Sequence, residues 1–223
     1  VKPMLEEEGI TLEIVEFTDY VQPNLAVDNG ELDANFFQHL PYLEDFNENN
    51  DTELESILAV HFEPLGIYPG QKSSLEEVEE GDSIAVPNDT TNEARALLLL
   101  EQAGLITVAD DAGLAATIQD IEENTMNLEI VELEAAQVSR SLPDVDFGVI
   151  NGNYAIEAGL TAEEDALLTE DTGSLAAETF ANIIVTQTGD DREMFDALVR
   201  VLTSDEVKTY IEENYEGSVI PVF

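Results

Sequence analysis

Arg95 and Asn92 are the pair of side chains in this chain best suited to holding an anion. With 50 acidic residues and only seven basic ones, a cation at the start of a helix points to a task beyond surface charge balance. Thr90-Thr-Asn-Glu93 fits a capping box, in which hydroxyl and carboxylate satisfy each other's orphan backbone donors. The pattern predicts a helix from near Thr91, through the leucines 97–100, to a stop at Ala103-Gly104. Asn92 and Arg95 stand at i and i+3, so they share one face of the first turn beside unpaired N–H groups and the positive end of the helix dipole. The planar fork of an arginine grips a carboxylate at two points, which a lysine does not. The plainer reading is a surface arginine paired with Glu93 or another acid.

Two further groups bear on chemistry. Tyr20, Phe37, His39, Tyr42, His61 and Phe62 concentrate rings in the first 62 residues of a chain only 7% aromatic, where core packing is the plainer alternative for each one. Neighbours on an element diverge, so one of Phe36 and Phe37 should face the core and the other a cleft. Asn151-Gly-Asn153 is an expected strand-to-helix junction, and turn and cap chemistry alone would account for its asparagines. Gly152 there permits close backbone approach. Both histidines of the chain, with Glu63, could instead be zinc ligands, but a cation such as Arg95 beside a metal is costly. No nucleophile elbow, phosphate loop or His-Glu-x-x-His occurs, so no enzyme, cofactor or resident metal is expected.

These groups need elements to carry them. Alternation predicts a strand over 11–17, and helices are expected at 23–27 and 36–46, the latter with Pro41 in its first turn or at a kink. Strands follow at 57–61 and 65–68, then a helix opened by Ser74-Leu-Glu-Glu77 and closed by Gly81. Later strands are expected at 128–132, 147–150 and 182–186, and helices at 135–142, 154–158, 175–180, 192–202 and 205–214. This order argues an α/β fold with parallel sheets. Leaving one lobe after residue 85 and returning at 183 gives a first lobe of 1–85 plus 183–223, a second of 86–182, and a ligand cleft between them.

The composition narrows the partners. A formal net charge of −43 excludes nucleic acid and anionic membrane surfaces, both of which would be repelled. Self-repulsion of this size points to a salt-rich setting or a deliberately acidified surface, since at ~1 M salt the screening length is roughly 3 Å. There is no cysteine, and no apolar run of membrane-spanning length, so a soluble chain without membrane insertion is expected. The first nine residues look like the end of a helix begun upstream.

Six strings carry a resemblance: Glu16-Phe-Thr-Asp-Tyr-Val-Gln-Pro-Asn24, Ala34-Asn-Phe-Phe-Gln-His39, His61-Phe-Glu-Pro-Leu-Gly-Ile-Tyr-Pro69, Ile84-Ala-Val-Pro-Asn-Asp-Thr-Thr-Asn-Glu-Ala-Arg95, Glu132-Leu-Glu-Ala-Ala-Gln137 and Val149-Ile-Asn-Gly-Asn-Tyr-Ala155. In this order they resemble the methionine-binding lipoprotein family, the substrate-binding components of methionine ABC importers. The resemblance implies a periplasmic-binding-protein fold, type II-like, of two α/β lobes closing on L-methionine or a close analogue, with the importer's membrane subunits as partners. It implies an extracytoplasmic protein, anchored in the family through a lipidated N-terminus. It places Tyr20, Phe37, His39 and His61 in the pocket and brings Asn153 to the ligand's polar end; the anion pair Arg95 and Asn92, read from spacing, would then take the ligand's carboxylate. Tyr42, Phe62 and Glu63 are secondary candidates, Glu63 as a partner for a histidine or the ammonium. Thioethers pack well on aromatic rings. The chain departs from the family in its acidity and in lacking an upstream strand internal to the first lobe's sheet; a truncated or redesigned structural variant that no longer binds is therefore a third reading.

Overall fold

The computed structural model describes residues 1–171, 175–215 and 217–223. The chain divides into two compact units, Val1–Phe62 with Ala177–Phe223, and Glu63–Ala176. Unit 1 opens with α1 (Lys2–Glu7), α2 (Gln22–Asp28), β1 (Asn35–His39), α3 (Leu40–Asn50) and β2 (Leu54–Phe62). Unit 2 contains β3 (Gly66–Pro69), β4 (Ser83–Pro87), α4 (Thr90–Gln102), β5 (Thr107–Val108), β6 (Ile121–Glu123), β7 (Glu129–Leu133), α5 (Ala135–Ser141), β8 (Phe147–Ile150), α6 (Gly152–Glu157) and β9 (Leu168–Thr169). After α7 (Leu175–Thr179), which spans the second junction, unit 1 is completed by β10 (Ala181–Gln187), α8 (Glu193–Leu202), α9 (Asp205–Tyr215) and β11 (Ile220–Pro221).

The junctions differ from the expected 85/86 and 182/183. β3 pairs antiparallel with β8, and β4 pairs parallel with β7 and β8, so residues 66–87 belong to the second sheet and the chain changes unit at Phe62. That sheet runs β7-β4-β8-β3-β9 and is mixed, whereas unit 1's sheet, β1-β10-β2-β11, is antiparallel in every pair. The expectation of purely parallel sheets therefore fails, because the crossover from unit 2 returns as β10 and lies between β1 and β2, antiparallel to both.

Burial explains the placement of the helices. The amphipathic α8 turns Phe195, Ala197, Val201 and Leu202 inward. α4 instead buries nine of its 13 residues, Arg95 among them. Leu97, Leu99 and Leu100 join Ile67, Ile84, Phe147 and Val149 in the core of unit 2. Unit 1 packs smaller cores, one of Val27, Leu43, Leu54, Ile183 and Val185.

Three expected elements change. Residues 11–17 form no strand, and Ile14 is 68% exposed there; alternation gives a strand two faces, but only a neighbouring backbone supplies its ladder. The helix expected over 36–46 begins at Leu40, and residues 36–39 are strand. The element after Ser74 is a single 3-10 turn, Leu75–Glu77, in which the Glu77 carboxylate accepts from Ser73 rather than closing a box on Ser74. No helix among the described residues is long and apolar enough to cross a membrane.

With a net charge of −43, the two units fold against their own surface repulsion. Raising salt from ~0.05 to ~1 M should lift the thermal midpoint by roughly 5–10 °C, about 2–4 °C per kcal/mol for a chain of this size. A midpoint that stays flat or falls, measured by calorimetry, would show that the acidic surface sets no such limit.

Candidate functional site

Unit 2 carries a polar cluster on the first turn of α4. The cap is Asp89, not the expected threonine: its carboxylate accepts from Asn92 N at 3.1 Å and from Asn92 Nδ2 at 2.8 Å. Glu93 is free of capping duty and instead accepts from Ile118 N at 3.1 Å. With Nδ2 tied to Asp89, Asn92 turns Oδ1 toward Arg95, whose Nη1 donates at 3.3 Å, and toward Asn151, whose Nδ2 donates at 3.0 Å. The i, i+3 pairing read from the sequence is a contact, and both residues are deeply buried, Asn92 at 2% and Arg95 at 4% exposure. Helix α4 stops just before Gly104, whose φ of 72° fits the left-handed position a glycine adopts without strain.

Arg95 is not paired with a surface acid. Its Nε donates to Glu170 Oε1 at 2.9 Å and its Nη2 to Glu170 Oε2 at 2.5 Å, a side-on fork across 75 residues of sequence. Nη2 also reaches Glu63 O at 3.5 Å, and Glu170 Oε2 accepts from Leu65 N at 2.9 Å. The fork predicted for a ligand carboxylate is thus engaged by an internal one, and it is the Nη1 end that faces the asparagines. Sequence reasoning missed Glu170, because nothing local to α4 signals a partner so distant.

The Asn-Gly-Asn junction contributes through its first asparagine. Asn151 is 7% exposed, its Nδ2 bonded to Asn92, and its Oδ1 is a buried acceptor with no hydrogen-bond partner among the described residues. Such an orphan costs free energy unless a donor arrives. Asn153, the predicted ligand residue, lies half-buried in the first turn of α6. Gly152 is where the backbone needs a glycine: a Cβ there would stand 2.7 Å from Glu63 Cβ. Glu63 is thereby held against this junction.

Unit 1 carries an aromatic cluster around β1. Pairing passes from Phe36 with Ile184 to Gln38 with Ile183, leaving Phe37 as the extra residue of an irregularity, a device that re-aims a side chain. A buried amide network fixes this kink. Asn24 Oδ1 accepts from Gln38 Nε2 at 2.5 Å and from Asn35 Nδ2 at 2.9 Å, and Asn24 Nδ2 donates to Gln38 Oε1 at 2.9 Å. Phe37 then meets Tyr20 and Tyr42, with ring centroids at 5.6 and 6.0 Å, and the Tyr42 hydroxyl donates to Tyr20 O at 3.0 Å. His39 joins the group, 6.3 Å from Tyr42 and 5.2 Å from Phe180.

His39 also caps α3, its Nδ1 accepting from Tyr42 N at 3.2 Å, which puts the proton of the neutral ring on Nε2. His61 stands apart from the Tyr20 group, edge-on to Phe36 at 5.1 Å. In register, Asn182 of β10 pairs with His39 on one side and His61 on the other, so the three share a row across the sheet. Asn182 was not anticipated, since its neighbours become visible only once the strands are paired. Phe62 is corrected: strand alternation sends it to the face opposite His61, and it has no exposed surface. Phe36 is 42% exposed and Phe37 half-buried, so neither joins the core, where one of them is expected. Among the described residues no three His, Cys, Asp or Glu side chains are grouped to hold a metal ion.

Two carboxyls of the polar cluster titrate above their ordinary range. Burial raises Asp89, against the hydrogen bonds from Asn92 and the charge of Arg95, which lower it; burial also raises Glu93, helped by Glu132, Asp89 and Asp120. A carboxyl with a raised folded-state value binds its proton first in the folded state. Its contribution to stability is therefore present below the unfolded value and is lost as pH rises through the folded one. Lowering pH through the raised folded-state range toward the ordinary carboxylate range should favour the folded state of unit 2. Protonating Asp89 would weaken the acceptor that orients Asn92, so ligand affinity should fall as pH drops through that raised range. Titrations across that range check both; a midpoint and an affinity that fall together would contradict this assignment.

The whole chain, residues 1–223, matches the family model described as NlpA lipoprotein. The D-methionine-binding lipoprotein MetQ of Salmonella typhimurium is 41% identical over 218 residues, spanning 96% of this chain and 79% of that one. A crystal structure from Ruminococcus gnavus is 57% identical with a TM-score of 0.98, covering 100% of this chain and 92% of its own. A nutrient-binding protein from Burkholderia cenocepacia, solved bound to methionine, is 42% identical with a TM-score of 0.93, covering 99% and 91%.

Proposed function

Because the chain belongs to the NlpA lipoprotein family, we propose that it is a substrate-binding protein that captures L-methionine or a close analogue for an ABC importer. The observation that carries this reading is the buried amide and guanidinium cluster of unit 2, in which Asn151 Oδ1 is an acceptor awaiting a donor. A free amino acid supplies both the donor, its ammonium, and a carboxylate for the Nη1 end of Arg95 and the Asn92 turn. Asn153 and Glu63 complete the polar end. The side chain is received by Phe37, Tyr20, Tyr42, His39 and His61, with Asn182 between the histidines. A thioether against such rings gains roughly 0.3–1.5 kcal/mol per contact.

Each polar group has a role in binding, and none is asked to break a bond. The protein acts outside the cytoplasm, handing its ligand to the importer's membrane subunits. Zinc capture would need both imidazoles, yet His39 Nδ1 already caps α3. Thermal unfolding with L-methionine, D-methionine, L-glutamate and zinc chloride tests the reading. A ligand at 100 times its Kd stabilises by about 2.7 kcal/mol, so L-methionine should raise the midpoint by several degrees. A shift with zinc and none with either methionine would replace this function with metal capture.

A further inference from the structure

We propose that Glu170 is a specificity-determining residue: by neutralising Arg95 at contact distance, it makes the polar cluster of unit 2 accept a zwitterion and reject an anion. The inference rests on the amino-acid reading above and adds what sets the ligand's charge.

An isolated buried guanidinium attracts any small carboxylate, because the field of a single charge is long-ranged at low dielectric. Arg95 is not isolated. Glu170 meets it through two parallel bonds of 2.9 and 2.5 Å, and both side chains are buried. Glu170 is also held in place from behind, since its Oε2 accepts from Leu65 N at 2.9 Å and its own N donates to Leu65 O at 2.9 Å. The carboxylate therefore has backbone reasons to stay where it is when a ligand arrives. Nη1, which donates to Asn92 Oδ1 at 3.3 Å, is then a directional donor without net charge behind it. The other charged groups near the cluster are acids: Asp89 at the helix cap and Glu63 against Gly152. A bare anion entering this site meets no compensating charge and a molecule of net charge −43. A zwitterion brings its own ammonium, which the acceptors Asn151 Oδ1 and Glu63 can meet.

The test compares L-methionine with 4-(methylthio)butanoate, the same chain and carboxylate with hydrogen in place of the ammonium, by calorimetry in ~1 M salt. Wild type should prefer methionine strongly. Glu170→Gln, which keeps an acceptor but removes the charge, should narrow that preference by about tenfold, while Glu170→Asp should retain it. A purely structural Glu170 would weaken both ligands equally, and an unchanged ratio in folded Glu170→Gln overturns the proposal. Should that variant not fold, the wild-type protein decides: affinity for the anion should rise from ~0.1 to ~1 M salt while that for methionine stays flat. Anion binding that weakens with salt would mark a net positive site and refute the proposal. Wild type that binds no methionine at all would sink the amino-acid reading instead.

Discussion

Replacing Arg95 with alanine should abolish measurable methionine binding and also destabilise unit 2 by about 3–5 kcal/mol, the usual consequence of leaving one half of a buried ion pair behind. The binding loss follows from removing the guanidinium donor of the polar cluster: a buried ligand carboxylate left without its hydrogen-bond partner costs about 2–5 kcal/mol, or a 30- to several-thousand-fold rise in Kd. The stability loss follows from Glu170, whose carboxylate would keep, among the described residues, the Leu65 N–H as its partner. Alanine alone therefore confounds two effects. Arg95→Lys separates them, since an ammonium can still offset Glu170 but cannot form the side-on fork and reach Asn92 together. That variant should unfold within a few degrees of wild type and bind at least about tenfold more weakly. Wild-type affinity in Arg95→Lys would mean that binding does not depend on one side chain gripping Glu170 and presenting Nη1 at the same time. Wild-type affinity in Arg95→Ala would remove Arg95 from the site altogether.

The second large effect lies at the aromatic end. Phe37→Ala should weaken methionine binding by roughly 10- to 50-fold, combining lost apolar burial with the lost sulfur–ring contact. Norleucine, with a methylene in place of sulfur, distinguishes those two causes. Wild type should favour methionine over norleucine by up to about tenfold, and the preference should shrink in Phe37→Ala. Stability should change less than for a true core ring, because Phe37 is half-buried at an irregular strand position fixed by the Asn24–Asn35–Gln38 amides rather than by its own ring. A methionine-to-norleucine ratio unchanged by the substitution would place the thioether against other side chains.

How far the sequence could be read depended on whether an interaction was local. The helix that carries Arg95, its glycine stop and the i, i+3 relation to Asn92 are all set within one turn or one helix of chain, and they stand in the structure as the pattern predicts. The cap shifted by one residue to Asp89, because aspartate competes with threonine for the same backbone donors and spacing alone does not rank them. The order of the strands and most of the later helices was legible from periodicity; the direction of the sheets was not, since pairing depends on where a returning strand such as β10 inserts.

Four site features lay outside local reasoning. Glu170 is one of 50 acids and gains its meaning only through a contact 75 residues away. Asn182 gains its place between His39 and His61 from strand register. Phe62 belonged to a motif rich in candidate residues, and strand alternation alone sends it inward while His61 goes outward. The ring of Phe37 is directed by an irregularity that no run of residue types announces, because the short apolar stretch around it reads equally as helix or strand. The resemblance to a binding-protein family supplied the ligand class that such patterns lack.

The most direct test of the account is calorimetric titration of the purified protein with L-methionine in ~1 M salt. The account predicts saturable one-to-one heat for wild type, at least about tenfold weaker binding in Arg95→Lys, and no heat in Arg95→Ala. No heat with wild type, or equal heat with all three proteins, would contradict it.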